Sequence, residues 1–268
     1  MLIDTHCHLD AAEFDADREA VIDAARAQGV AGFLVPAVAV GNFDAVAGLS
    51  AAHPDCVHAY GIHPLYVGQA REDDVDRLRE RLADGTAVAV GEIGLDGFVP
   101  DGDLPRQERF LDAQLKLAVA FGLPVVLHVR RAQDRVLKAL RRHRPPGGIA
   151  HAFNGSRQQA EAFIGLGCKL GFGGAMTYSG SRRIRELAAT LPLSAIVLET
   201  DAPDIAPAWG AAQRNDPANL RRMAEVLAEL RGMEVDEVIA VTGANAVAAI
   251  PGLARIRRAR APASGCGR

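Results

Sequence analysis

Met1-Leu-Ile-Asp-Thr-His-Cys-His8 opens the chain, and its reading decides between two α/β architectures. Leu2 and Ile3 lead into the histidines as a short apolar strand would. Alternation along a strand turns His6 and His8 to one face and Cys7 to the other, where it serves packing. An open doubly wound sheet wants a glycine-rich GxGxxG turn after its first strand. Here that strand ends in two imidazoles, a half-site for a divalent cation. A closed barrel, which gathers functional groups at the C-terminal ends of its strands, suits such an ending.

Outward from this point, short apolar runs alternate with amphipathic stretches, the pattern of βα units and a parallel sheet. Strands are expected at residues 2–5, 31–35, 57–61, 87–91, 124–128, 148–151, 169–172 and 195–199. Helices are expected at 15–28, 73–83, 106–121, 132–142, 157–166 and 181–191, with two closing helices at 217–230 and 235–249. The predicted class is α/β: a single (β/α)8 TIM-type barrel with C-terminal closing helices. A chain of 268 residues suits one such domain. We assign residues 1–254 to it, and residues 255–268, basic and then Pro/Gly/Ser-bearing, to a disordered tail rather than a nucleic-acid arm.

Hydrophobic residues at 49% supply a core, and the net charge of −3 offers no global attraction for a polyanion. Bound dications would supply that attraction locally. Cys7, Cys56, Cys168 and Cys266 are scattered without a CxxC pair, which argues against a zinc ribbon and a disulfide framework. No apolar run reaches membrane-spanning length, and the N-terminus lacks the basic and apolar regions of a signal peptide. The expectation is a cytoplasmic protein with no membrane partner, compatible with a monomer.

Ligand-type residues recur where the strands should end: His6 and His8, then Glu92, His128, His151 and Asp201. One catalytic zinc uses about three protein ligands, so this set suits two cations. Glu92 can bridge them, with His6, His8 and Asp201 on one and His128 and His151 on the other. Two dications, less two carboxylates and a bridging hydroxide, leave roughly one positive charge, which suits a phosphate oxygen. Binuclear sites activate water and stabilise both the entering and the departing oxygen of a displacement.

Several segments, in order, resemble the TatD-type metal-dependent deoxyribonucleases of the amidohydrolase-like barrels. They are Asp4-Thr-His-Cys-His-Leu-Asp10, Gly61-Ile-His-Pro64, Gly91-Glu-Ile-Gly-Leu-Asp96 and Pro124-Val-Val-Leu-His-Val-Arg130. His151-Ala-Phe-Asn-Gly-Ser156, Leu198-Glu-Thr-Asp-Ala-Pro203 and Arg214-Asn-Asp-Pro217 complete the set. The resemblance implies a deoxyribonuclease, a 3′–5′ exonuclease acting on single-stranded DNA or 3′ ends, with two divalent cations (Mg2+, Mn2+ or Zn2+). The six residues above fall on the family's ligand positions, and His63 on the histidine associated there with the substrate phosphate. Arg130, two residues past His128, is read as a substrate contact at the mouth. Glu199 is read as a partner that orients a ligand histidine. Glu92 and Asp201 are the expected catalytic residues, Asp201 orienting the water and accepting its proton.

Two segments depart from the family pattern. Gly97-Phe98-Val-Pro-Asp-Gly102 leaves Phe98 alone to stack on a base, and Gly171-Phe-Gly-Gly-Ala-Met-Thr-Tyr178 follows the strand-seven loop loosely. Two other functions stay open at this point. The same ligands would polarise a carbonyl, as in an ester or amide hydrolase such as a D-aminoacyl-tRNA deacylase. A binding module with structural metal is the third, although structural sites are usually closed by about four ligands, often cysteines.

Overall fold

Eight short strands carry the architecture: β1 (Leu2–Asp4), β2 (Val30–Pro36), β3 (Cys56–Ala59), β4 (Val90–Asp96), β5 (Val125–Arg130), β6 (Gly148–Ala150), β7 (Cys168–Phe172) and β8 (Ile196–Leu198). They are seen in a computed structural model that describes residues 1–99 and 102–256. Every pairing is parallel, in the orders β1-β2-β3 and β4-β5-β6-β7-β8. The two sheets meet at both seams. Tyr60 bridges to Val90 at one, and the Thr5 N–H donates to the Leu198 carbonyl at 3.1 Å at the other. Strand order around the ring is therefore chain order, as in a (β/α)8 barrel.

A helix follows each strand: α1 (Arg18–Ala27), α2 (Phe43–Ala52), α3 (Asp74–Ala83), α4 (Leu104–Phe121), α5 (Gln133–His143), α6 (Arg157–Gly165), α7 (Arg182–Thr190) and α8 (Leu220–Arg231). A ninth, α9 (Val235–Ala249), comes last. Local chemistry sets several ends. Asp103 accepts from the Arg106 N–H at the start of α4, and Gly122 ends it at φ 64°. Ser156 and Gln159 cap α6 reciprocally.

Three features differ from expectation. The fourth strand, expected at 87–91, starts at Val90 and runs through Asp96, so Glu92 lies within it. Val88 and Ala89 pack instead among the apolar side chains near the barrel floor. α2 was not anticipated, because Phe-Asp-Ala-Val-Ala-Gly-Leu-Ser-Ala-Ala fully buries only Phe43 and Val46 and shows no clear polar stripe. Of the two closing helices, α8 takes the eighth place in the outer ring, and α9 alone closes the floor. Of the tail expected at 255–268, Arg255 ends a short helical turn and Ile256 packs against the floor cluster, while residues from 257 onward, Cys266 included, lie outside the described residues.

Strand alternation builds the core in two layers. Ile3, Leu34, Val57, Val126, Ile149 and Val197 share the barrel interior with Ala246, Ala249 and Ile250 of α9 and its continuation. Their neighbours Phe33, Val35, Leu127, Ala150, Ile196 and Leu198 join the outer layer under the ring helices. A side chain two residues beyond an interior one points inward again, one level nearer the C-terminal mouth. From Val126, Ile149 and Val197 that step reaches His128, His151 and Glu199.

Candidate metal centre

Glu92, 2% exposed, is the hub of the mouth. Its Oε2 lies 3.1 Å from His6 Nε2 and 3.6 Å from His8 Nε2. Its Oε1 lies 2.8 Å from His151 Nε2, 3.0 Å from His128 Nδ1 and 3.3 Å from His63 Nε2. Asp201 Oδ1 approaches His6 Nε2 at 3.4 Å and His8 Nε2 at 3.8 Å. All six expected ligands thus converge, as does His63; Cys7 is buried away from them against the Leu34 carbonyl. Three groups of donors are close enough to hold an ion: His6, His8 and Asp201; His6, Glu92 and His151; and His63, Glu92 and His128.

Strand ends aim these groups, and the backbone is left-handed at one of them and at the residue after another. Asp201, φ 59°, and Ala152, φ 44°, occupy the left-handed region just past β8 and β6. Aspartate tolerates that region better than most residues, whereas alanine stays there only under constraint. Glycine permits two close approaches. A Cβ on Gly171 would collide with the Glu199 carboxylate, and one on Gly94 with the His128 backbone oxygen.

The electrostatics follow from burying many ionisable groups together. Burial and the neighbouring His151 hold His6 well below the usual histidine range. Burial likewise lowers His63 and His151. Burial opposes charge on His128 too, but hydrogen bonds with Asp96 and Glu92 outweigh it and carry that ring up to about 9. Burial raises Glu92, yet the surrounding imidazoles overcome it and hold this carboxylate well below its ordinary value. Asp201 has no such surplus. Burial and the charges of Glu92 and Glu199 push it well above the carboxylate range.

This donor set fits divalent cations. His6 and His151 stack at 3.9 Å, each with a buried Nδ1 lacking a partner, and several Nε2 lone pairs converge on two carboxylates. Mixed imidazole and carboxylate donors are the ligands that zinc and similar metals take. His63 has a distinct place. The Leu65 N–H donates to its Nδ1 at 3.2 Å, so in the neutral ring Nε2 carries the hydrogen and is a donor. Arg130 is half exposed, its guanidinium 4.0 Å from Asp96 and stacked on Phe98.

Glu199 does not hydrogen-bond a ligand histidine ring directly. Its Oε1 is 3.9 Å from His151 Nδ1, beyond hydrogen-bonding range, and accepts instead from the Ala152 N–H. Its contact is thus with the backbone of the residue after His151. Burial lifts its carboxyl to about 8. Three supporting residues had no assigned role in the sequence reading. Asp96 holds His128 Nε2 at 3.0 Å. Asp4 accepts from the Thr200 N–H and the His6 N–H, tying β1 to the segment that bears Asp201. Asn215, fully buried, donates to the Thr200 and Asp204 carbonyls and fixes the same segment from outside. Asp4, Asp96 and Asn215 all stand in the quoted motifs, which was the available signal.

A parallel barrel with a sealed apolar floor and this donor set at its mouth defines a metal-dependent hydrolase. The comparisons with known proteins agree. The chain belongs to the TatD related DNase family, whose model matches residues 3–250. It is similar to the uncharacterized metal-dependent hydrolase YjjV of Escherichia coli (strain K12), 42% identical over 239 residues, 88% of this chain and 92% of that one. The crystal structure of YjjV, described as a TatD homolog, superposes with a TM-score of 0.90 at 40% identity, covering 93% of this chain and 98% of that chain. A 3′-5′ ssDNA/RNA exonuclease TatD of Erwinia tasmaniensis is 31% identical over 253 residues, 91% of this chain and 98% of its own. No helix among the described residues is long and apolar enough to cross a membrane.

Proposed function

We propose that the chain is a deoxyribonuclease that removes nucleotides from the 3′ ends of single-stranded DNA. The observation that carries this reading is the division of imidazoles between the two oxygens of Glu92, His6 and His8 on one and His128 and His151 on the other. That division suits a pair of cations with Glu92 between them. His6, His8 and Asp201 would hold one ion, and His128 and His151 the other. Two divalent cations (Mg2+, Mn2+ or Zn2+) would supply Lewis acidity at the phosphoryl group and a nucleophilic water near neutral pH.

The chain's own groups do the rest. Asp201 Oδ1 faces the imidazoles; with a bound cation offsetting the burial that raises it, Asp201 would be a carboxylate whose Oδ2 is left to orient the attacking water and accept its proton. His63 Nε2–H donates to a phosphoryl oxygen as negative charge develops there. Arg130 meets a backbone phosphate at the rim. The apolar layer and α9 exclude water from below, so substrate and water share one entrance. The name of the Erwinia tasmaniensis relative supports a nucleic-acid substrate. We assign the activity to one domain, residues 1–254, working in the cytoplasm.

The test uses a 5′-labelled single-stranded oligonucleotide. Chelator-treated protein should be inactive and regain activity with magnesium, manganese or zinc, shortening the strand from its 3′ end. Asp201→Asn should keep the fold and lose about 100-fold or more in rate. Turnover of a D-aminoacyl ester with the oligonucleotide left intact would move the site to carbonyl chemistry and overturn the proposal.

A further inference from the structure

One arc of the rim carries a run of linked residues of which the chemistry above uses only Arg130. It begins at Phe98, 43% exposed beyond β4. The guanidinium carbons of Arg130 and Arg131 lie 3.8 and 4.5 Å from its ring centroid. From Arg131 the chain runs two residues to Gln133, whose Nε2 donates to the Asn154 carbonyl at 3.2 Å beyond β6. Arg183, at the start of α7, donates to Asn154 Oδ1 at 2.6 Å. Four consecutive loops are joined in this way, those after β4, β5, β6 and β7.

The arc is also anchored to the centre. Asp96 Oδ1 accepts from the Phe98 N–H at 2.8 Å, while its Oδ2 faces His128 Nε2. Three strand spacings of about 4.8 Å make the arc at least about 14 Å long. A stacked nucleotide rises only about 3.4 Å, so the arc outruns the nucleotide being cleaved.

Resting on the nuclease reading, we propose that this arc is a length-sensing subsite for the uncleaved part of a single-stranded polynucleotide. A base stacks on the Phe98–arginine assembly, and Arg131 and Arg183 meet phosphates further from the cut. An aromatic ring and guanidinium planes offer π faces to any base, and the cations match the backbone. An acidic peptide would meet the same guanidiniums but would leave the exposed ring without a purpose.

The experiment compares wild type with Phe98→Ala, Arg131→Ala and Arg183→Ala, all at rim positions. Binding of a fluorescent phosphorothioate 20-mer to manganese-loaded protein is followed by anisotropy across salt concentrations, and hydrolysis is measured on a 20-mer and on a dinucleotide. Phe98→Ala should lower the ratio of kcat/KM for the 20-mer to that for the dinucleotide about tenfold, within the range of one base–aromatic stack. Each arginine variant should flatten the slope of log K against log salt by about 0.7, the loss of one single-strand phosphate contact. Wild-type ratios and slopes in all three variants would overturn the subsite. So would polyglutamate competing as well as the oligonucleotide. Wild-type protein that binds with these slopes and cuts neither substrate would support the subsite and refute the nuclease reading.

Discussion

His128 has a carboxylate on each ring nitrogen, Glu92 at Nδ1 and Asp96 at Nε2, both at 3.0 Å. Only the nitrogen that faces the other donors can serve a cation, so Asp96 has the task of holding the far side. A carboxylate there fixes the ring's orientation and makes the ligand nitrogen more basic. Asp96→Asn keeps the shape and removes the charge. It should weaken cation binding about 10- to 100-fold, as measured by competition with a chromophoric chelator. Wild-type affinity would reduce Asp96 to an anchor for Phe98. At this scale the legible residues were those that close an apolar run, such as His128 after Val125-Val-Leu and His151 after Gly148-Ile-Ala. Asp4, Asp96 and Asn215 carried no such mark. The Thr200 partner of Asp4 lies far along the chain, and a buried carboxylate in a motif looks the same as a ligand until its neighbours are known.

Elements were legible where period and burial agree. The runs of β5 to β8 place one residue in the barrel interior and the next under a helix, so their apolar pattern is nearly unbroken. The start of β4 was hidden because Ala87, Val88 and Ala89 are as apolar as the strand proper, and its pairing with β5 shifts register between Val90 and Ile93. The joint between β3 and α2 was hidden as well, and it carries a pH dependence. His58 points outward from β3, its Nδ1 2.9 Å from Ser50 Oγ of α2 and its Nε2 3.3 Å from Thr86 Oγ1. Burial, aided by Arg255, lowers this ring to about 4. Between about 4 and the unfolded value near 6.5 the unfolded chain binds the extra proton, so stability is lost as pH falls through that window. Relative to His58→Asn, the wild type should lose up to about 3 kcal/mol between pH 7 and pH 4 in urea unfolding. Parallel pH profiles for the two proteins would show that the joint absorbs the charge.

The whole molecule has one closed end and one open end, and its polar groups are concentrated at the open one. α9 lays Ala246 and Ala249 across the floor, while Glu92, Asp201 and five imidazoles crowd the mouth with little solvent. Such a cluster exists only in the folded chain, because its members come from β4, β5 and the segments after β1, β3, β6 and β8. Cations that bind it therefore bind the folded state almost alone, and mass action makes them stabilising. At a free ion concentration about 1,000 times the dissociation constant, the gain is about 4 kcal/mol. In a barrel of this size each kcal/mol raises Tm by about 2 °C, so chelation should lower the midpoint by about 8 °C. Calorimetry on stripped and reloaded protein checks the shift, and the Asp96→Asn variant supplies a control within the same fold. Its weaker affinity should narrow the gap between loaded and stripped midpoints by about 1.4 kcal/mol for each tenfold lost, or about 3 °C. Equal midpoints for stripped and reloaded wild type, with uptake confirmed by elemental analysis, would mean that the cations add nothing to the fold.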